Sequence, residues 1–147
     1  MTRHEIITEL EVIIDNAKSA LLATVDKNSQ PHIRWMTPTI LKDRTNTIFS
    51  MTSAHFGKIE HLKTNSHVEW IFQSKNLDTI INIQGVVNVL DNSSIKNEVL
   101  EAIGPRLNVF WKLKADDESN LLVLETVIRE AVFYKPMKGV KSKVPFK

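Results

Sequence analysis

The sequence contains no cysteine. That single absence excludes disulfides, thiolate metal sites, iron–sulfur clusters and a cysteine nucleophile. Glycine is scarce as well: Gly57, Gly85, Gly104 and Gly139 are the whole set. No three of them have the spacing of a dinucleotide fingerprint, and no phosphate-cradling Walker loop can be built from them. There is no G-x-S-x-G nucleophile elbow. No pair of carboxylates stands at a spacing that implies general acid and base work. No apolar run approaches the roughly 18 residues that a membrane span needs, so no membrane partner is expected. The start, Met1-Thr2-Arg3-His4-Glu5, lacks the basic-then-apolar layout of a secretory signal, and the expected compartment is the cytoplasm. A formal charge of +2 is too small to point to nucleic acid. Lysines gather only in residues 135–147, which read as a solvated, partly frayed terminus. The histidines are His4, His32, His55, His61 and His67. They read as scattered: His55 and His61, for example, sit well apart around a helix. No metal site is expected.

What is present is the balance of a globular protein, with 42% apolar and 24% charged residues in 147. Neither a repeat nor a linker divides it, so residues 1–147 are read as one domain. Thr2 and Glu5 have capping-box spacing, and Ile6, Leu10, Ile13, Ile14 and Ala17 follow on one helical face. Residues 20–25, 31–42 and 47–52 read as three strands of an antiparallel meander, joined by polar turns at 26–29 and 43–46. Pro38 cannot donate to a ladder, so an edge or bulge is expected there. Residues 53–65 read as a helix with Ile59 and Leu62 on its apolar stripe. In residues 67–73, Val68, Trp70 and Phe72 share a face. Residues 80–90 form a long strand in which Ile81, Ile83, Val87 and Val89 share a face with Gly85, where a bend or close backbone approach is expected. Residues 91–94 offer N-caps for a helix that Gly104 and Pro105 end. The pattern over 107–114 is ambiguous, 115–120 is a charged loop, and 121–134 is a final strand region with Val127 as its candidate break. This order favours a β-barrel, closed or half open, with flanking helices.

A few residues stand apart from this scaffold: Arg34, Trp35 and Met36 on the second strand, Thr52 and Ser53 at the end of the third, and Lys58 in the helix after it. A monoester phosphate carries about −1.5 to −2 charges and three strong acceptor oxygens. It needs cations and hydroxyls that converge. Thr52 and Ser53 supply hydroxyls at a strand end, and the following helix offers free N–H groups and a positive dipole end. Lys58, about one turn in, reaches back toward that start. If the second and third strands pair through the turn near Arg44, Arg34 lies beside the same corner and can give a bidentate contact. The same residues also fit an ordinary surface, with Arg34 and Lys58 solvated and Ser53 a plain N-cap. Spacing alone leaves both readings open.

The run Ala20-Leu21-Leu22-Ala23-Thr24-Val25, then Gln30-Pro31-His32-Ile33-Arg34-Trp35-Met36, then Ile48-Phe49-Ser50-Met51-Thr52-Ser53, then Lys58-Ile59-Glu60-His61-Leu62 through Asn65, resembles the pyridoxamine 5′-phosphate oxidase-like superfamily, nearest its general-stress-protein branch. The resemblance continues through Ile83-Gln84-Gly85-Val86-Val87 to Ala131-Val132-Phe133-Tyr134 and so covers nearly the whole chain. It implies a mainly β fold, a six-stranded antiparallel split β-barrel, with FMN in a groove between the protomers of a homodimer. It also implies that Arg34 and Lys58 hold the phosphate, with Thr52 and Ser53 as hydroxyl or backbone partners. Trp35, Met36 and Thr37 would then line the isoalloxazine, with Trp111 as a further candidate. For Trp35 and Trp111 the competing expectation is core packing or a dimer contact.

Two departures from the family pattern matter. Gly57 stands where the true oxidases often carry Arg, which weakens the expected hold on phosphate. The C-terminal Arg-x-His with which vitamin B6 oxidases engage their substrate is absent, so pyridoxal phosphate synthesis is not implied. The expected function is an FMN-dependent oxidoreductase acting on a small molecule. The alternative is a non-enzymatic flavin- or haem-binding stress protein of the same fold, with His55 as the residue that makes haem conceivable. A nucleic-acid module displaying Trp35, Trp70 and Trp111 is a further alternative, opposed by the modest charge and the core-facing pattern of the aromatics.

Overall fold

The computed structural model describes residues 1–54, 56–107 and 121–146. Helix α1 (Arg3–Ala17) opens the chain. Its capping box is formed: Thr2 Oγ1 accepts from Glu5 N at 3.1 Å, and Glu5 Oε1 accepts from Thr2 N at 3.3 Å. Ile6, Leu10, Ile13 and Ile14 are buried, as the helical period requires. Strands β1 (Ala20–Val25), β2 (Pro31–Met36) and β3 (Thr47–Ser53) follow, then helix α2 (Gly57–Thr64), strands β4 (His67–Gln73) and β5 (Ile80–Leu90), helix α3 (Ser93–Leu107), and strands β6 (Leu121–Lys135) and β7 (Val140–Pro145). The seven strands form one antiparallel sheet in the order β2-β1-β4-β5-β6-β3, with β7 added beside β6. The fold is mainly β with flanking helices, a split-barrel arrangement in which the sheet curls without closing.

The expected meander of the first three strands is not what forms. β3 pairs with β6, Thr47 opposite Val127 through Ser53 opposite Leu121, and among the described residues β2 has only β1 beside it. The burial patterns explain the choice. β3 is buried on both faces from Ile48 to Thr52, whereas β2 exposes most of its length. A strand with two apolar faces needs a central partner on one side and a covering helix on the other. α3 supplies the cover, packing Ile95, Val99 and Ile103 against Phe49, Met51, Leu121 and Val123. The second strand also ends at Met36, six residues short of its expected limit, because Pro38 interrupts the ladder. The chain then touches β3 at one point, where Thr39 N donates to Phe49 O at 2.8 Å and Phe49 N to Thr39 O at 2.9 Å.

Other boundaries shift for local reasons. Ser53 is not a helix cap but the last residue of β3, and α2 starts only at Gly57 after Phe56. Asn92 caps α3, its Oδ1 accepting from Ser94 N and Ile95 N. Gly104 and Pro105 do not end α3 but lie in its last turn, held there by the buried face of Ile95, Val99 and Ile103. The C-terminal tail is not frayed. Gly139, at φ +65°, reverses the chain, and β7 then pairs with β6 and buries Val144 and Phe146. Val89 faces solvent in place of the core. Expectations for residues 108–120 fall outside the described residues.

β6 runs unbroken past Val127, and the irregularity lies across from it at Gly85. Gln84 pairs with Glu130 but Gly85 with Ile128, so Arg129 is the extra residue of a bulge. A Cβ at Gly85 would come within 2.7 Å of Val127 O and 2.6 Å of Thr126 Cγ2. Thr126 is itself fixed, its Oγ1 accepting from the buried Trp70 Nε1 at 3.1 Å. Gly85→Ala therefore destabilises the domain by about 1–3 kcal/mol, the usual result of overpacking. Urea denaturation checks this, and an unchanged midpoint would contradict the close approach.

Candidate functional site

β2 and β3 lie at opposite ends of the strand order, and a cleft of about 660 Å³ opens where their ends and the start of α2 converge. Its volume is in the range of small-molecule sites. Arg34, Trp35 and Met36 border it from β2, Met51 and Thr52 from β3, and Phe56, Gly57, Lys58 and His61 from α2 and its approach.

Lys58 is placed by its neighbours on α2. Ile59 and Leu62 are buried in the core and fix the helix, so that Lys58 in the first turn faces Thr52 at the end of β3. Lys58 Nζ donates to Thr52 Oγ1 at 2.7 Å and stands 4.4 Å from the centroid of the Phe56 ring. On the other side of the cleft Arg34 sits opposite Leu22 in the β1–β2 ladder, and its Nη1 donates to Leu22 O at 3.2 Å. Neither cation has a carboxylate within ion-pair distance among the described residues. Burial, and then the charge of Arg34, pull the Lys58 ammonium down from 10.5 to about 8. Burial also lowers Arg34. Two like charges thus share a partly desolvated corner.

The walls are apolar. Met36 and Met51 are buried, while Trp35 and Phe56 are exposed at the rim. Gly57 has open space around its Cα, with nothing within 4 Å of where a Cβ would lie, so a larger side chain fits at this position.

The structure brings Arg34, Trp35, Met36, Thr52 and Lys58 together, as the sequence predicts, but by a different route: β2 and β3 do not pair. Ser53 and Thr37 do not line the cleft. Thr37 is buried, and its Oγ1 has no hydrogen-bond partner among the described residues. Trp111 and His55 lie outside the described residues.

Sequence reasoning missed a group of histidines. His32 and His61 border the same cleft, with ring centroids 4.6 Å apart. His61 Nδ1 is 2.9 Å from the buried Thr24 Oγ1, and His32 Nε2 is 2.8 Å from Asp26 Oδ2. The hydrogen bond from His32 is the main reason that the Asp26 carboxyl is lowered to about 2. The signal was available in spacing: His32 precedes Arg34 by two on a strand, and His61 follows Lys58 by three on a helix, so each shares a face with a cation already singled out. Among the described residues no cluster of three metal-ligating side chains occurs, and no helix is long and apolar enough to cross a membrane.

The family model described as pyridoxamine 5′-phosphate oxidase like matches residues 5–144. The chain belongs to this family. Solved structures agree on the fold. A Clostridium acetobutylicum protein related to general stress protein 26 superposes with a TM-score of 0.73 at 15% identity, covering 97% of this chain and 96% of that one. General stress protein 26 from Bacillus anthracis gives a TM-score of 0.69 at 19% identity, covering 93% and 98%. An F420 reductase gives 0.67 at 13% identity, covering 85% and 95%. No curated protein matches the sequence.

The depressed Lys58 ammonium has a consequence for stability. Below about pH 8 the folded and unfolded chains both carry this proton, and above about 10.5 neither does. Between those values the unfolded chain binds a proton that the folded chain lacks, so this residue's contribution to stability rises with pH across the window. Ligand-free wild type therefore gains in Tm relative to Lys58→Met between pH 8 and pH 10.5. A constant difference across that range would show that Lys58 titrates as an ordinary lysine.

Proposed function

We propose that the cleft binds FMN through its phosphate and that the protein is a flavin-dependent oxidoreductase acting on a small molecule. One juxtaposition carries this reading: Arg34 and Lys58, without an acidic partner among the described residues, stand at one end of a cleft walled by Trp35, Met36, Met51 and Phe56. Such a site suits a ligand with a doubly negative end and a flat apolar body, and FMN has both. Arg34 has N–H groups beyond the one given to Leu22, and Lys58 has protons beyond the one given to Thr52. Those donors would go to phosphate oxygens. The first-turn N–H groups of α2 lie at the same end of the cleft. Trp35, Met36 and Phe56 would cover the ring and keep water from it. A bound flavin supplies hydride and one-electron chemistry of its own. The fold that this chain shares with an F420 reductase is consistent with a redox role.

In this reading the functional unit is a homodimer with the cofactor between protomers. Ile33 and Trp35, adjacent outward positions on edge strand β2, are 67% and 54% exposed. Large apolar side chains on a strand edge beside a ligand cleft mark a surface that another chain covers.

Two measurements test the proposal. FMN titrated into the protein and followed by flavin fluorescence binds tighter than riboflavin, and Lys58→Met or Arg34→Met weakens FMN binding by about 1.5–3 kcal/mol, the range for a charge-assisted hydrogen bond. Riboflavin and FMN binding with equal affinity would defeat the phosphate assignment. Light scattering gives twice the chain mass of 16.8 kDa for wild type and a monomer for Ile33→Glu. A wild-type monomer at micromolar concentration would end the shared-site reading.

A further inference from the structure

We infer that His61 is a third donor of the anion site, and that a phosphate seated between Arg34 and Lys58 takes up one proton at His61 Nε2. This rests on the phosphate-binding reading of the cleft, which it extends to a residue that neither the fold nor the family resemblance assigns.

His61 follows Lys58 by one helical turn on the same face of α2, and both border the cleft. Its Nδ1 is held by Thr24 Oγ1 at 2.9 Å, on a residue that is fully buried in β1. That bond fixes the ring and leaves Nε2, which has no hydrogen bond among the described residues, as the nitrogen free for a ligand.

The charges around the ring are unbalanced. His32 on β2 lies against it with centroids 4.6 Å apart, and Arg34 on β2 and Lys58 on its own helix stand close enough to repel a positive charge there. Asp26, in the turn after β1, is the acid that attracts, but its carboxylate is already bonded to His32 Nε2 at 2.8 Å. Lys27 and Glu60 border the groove on the far side of the ring, and Glu60 is paired with Lys63 at 3.2 Å. Burial, followed by the charges of His32, Arg34 and Lys58, outweighs Asp26 and holds the imidazole below its ordinary value, so it is neutral near pH 7 in the free protein. A doubly negative group between Arg34 and Lys58 cancels that repulsion. In the tautomer whose Nδ1–H donates to Thr24 Oγ1, protonation then places an N–H at Nε2 toward the anion, and linkage requires that binding strengthen as pH falls.

The test uses two probes. In wild-type protein the His61 ring is titrated by NMR with and without inorganic phosphate. Phosphate is expected to raise its midpoint by about one pH unit, which corresponds to roughly tenfold in anion affinity. FMN affinity is then followed by fluorescence from pH 6.5 to pH 8.5 in wild type and in His61→Gln, which keeps a hydrogen-bonding group for Thr24 but cannot take a proton. The ratio of wild-type to His61→Gln affinity is expected to fall about two- to fivefold over that range, reaching its lower limit at the high-pH end. The titration of Lys58 near pH 8 and the phosphate group's own second ionisation near pH 6 act in both proteins and cancel in the ratio. An unmoved His61 midpoint, or the same pH dependence in both proteins, overturns the inference. If FMN and riboflavin bind alike while inorganic phosphate still raises the His61 midpoint, the flavin reading fails and the proton-linked anion site stands.

Discussion

Arg34 and Lys58 each make the other's charge less favourable, and the local architecture is organised around that repulsion. An ammonium that is partly desolvated and faces a guanidinium is a destabilising feature in a protein without ligand. It persists because every group around it is anchored elsewhere. Thr52 holds Lys58 Nζ from the end of a strand buried on both faces, and Ile59 and Leu62 hold the helix that carries it. Arg34 is tied back to the carbonyl of Leu22, its partner in the β1–β2 ladder. Neither side chain is positioned to swing out to solvent without breaking a bond that the fold supplies. A site of this kind is set up before any ligand arrives, which lowers the ordering cost of binding.

The sheet order explains how two cations from separate parts of the chain come together. β2 and β3 are the two ends of the order β2-β1-β4-β5-β6-β3, so they meet only because the sheet curls. Among the described residues, the Thr39–Phe49 bridge, three residues past the end of β2, is where the chain leaving β2 touches β3. The cleft is therefore the split in the barrel, and its two walls belong to strands as far apart along the sheet as any two can be. Gly85 belongs to the same geometry. The bulge at Arg129 and the close approach of Gly85 to Val127 O sharpen the twist in the β5–β6 pair, the longest in the sheet, and so help it curl.

This accounts for what sequence reading reached and what it did not. The capping box of α1, the alternation around Trp70, the special place of Gly85 and the identities of Arg34, Thr52 and Lys58 all depend on local chemistry or on a period of two or 3.6, and such signals survive without a partner. The pairing of β3 with β6 joins residues 68 to 80 apart in sequence and depends on which faces are covered, which no local pattern carries. The same limit hid the histidines. His32 and His61 look scattered along the chain, and only the packing of α2 against β1 and β2 brings their rings together. The ordered tail was missed for a different reason: five lysines suggested solvation, yet on an edge strand lysines serve to keep other chains away while Val144 and Phe146 anchor the segment.

The charge distribution links stability to occupancy. In the free protein Arg34 and Lys58 repel, and part of the stability available from burying this corner is offset by that repulsion. A bound dianion removes the offset and adds charge-assisted hydrogen bonds, so ligand binding stabilises the folded state beyond its direct contacts. The effect is one-sided. An apolar ligand could fill the volume between Trp35, Met36 and Met51 but would leave the cations facing one another across it. On the FMN reading, the corner therefore selects by charge before the apolar wall selects by shape. Its specificity resides less in any one donor than in the energetic penalty of leaving the donors unanswered.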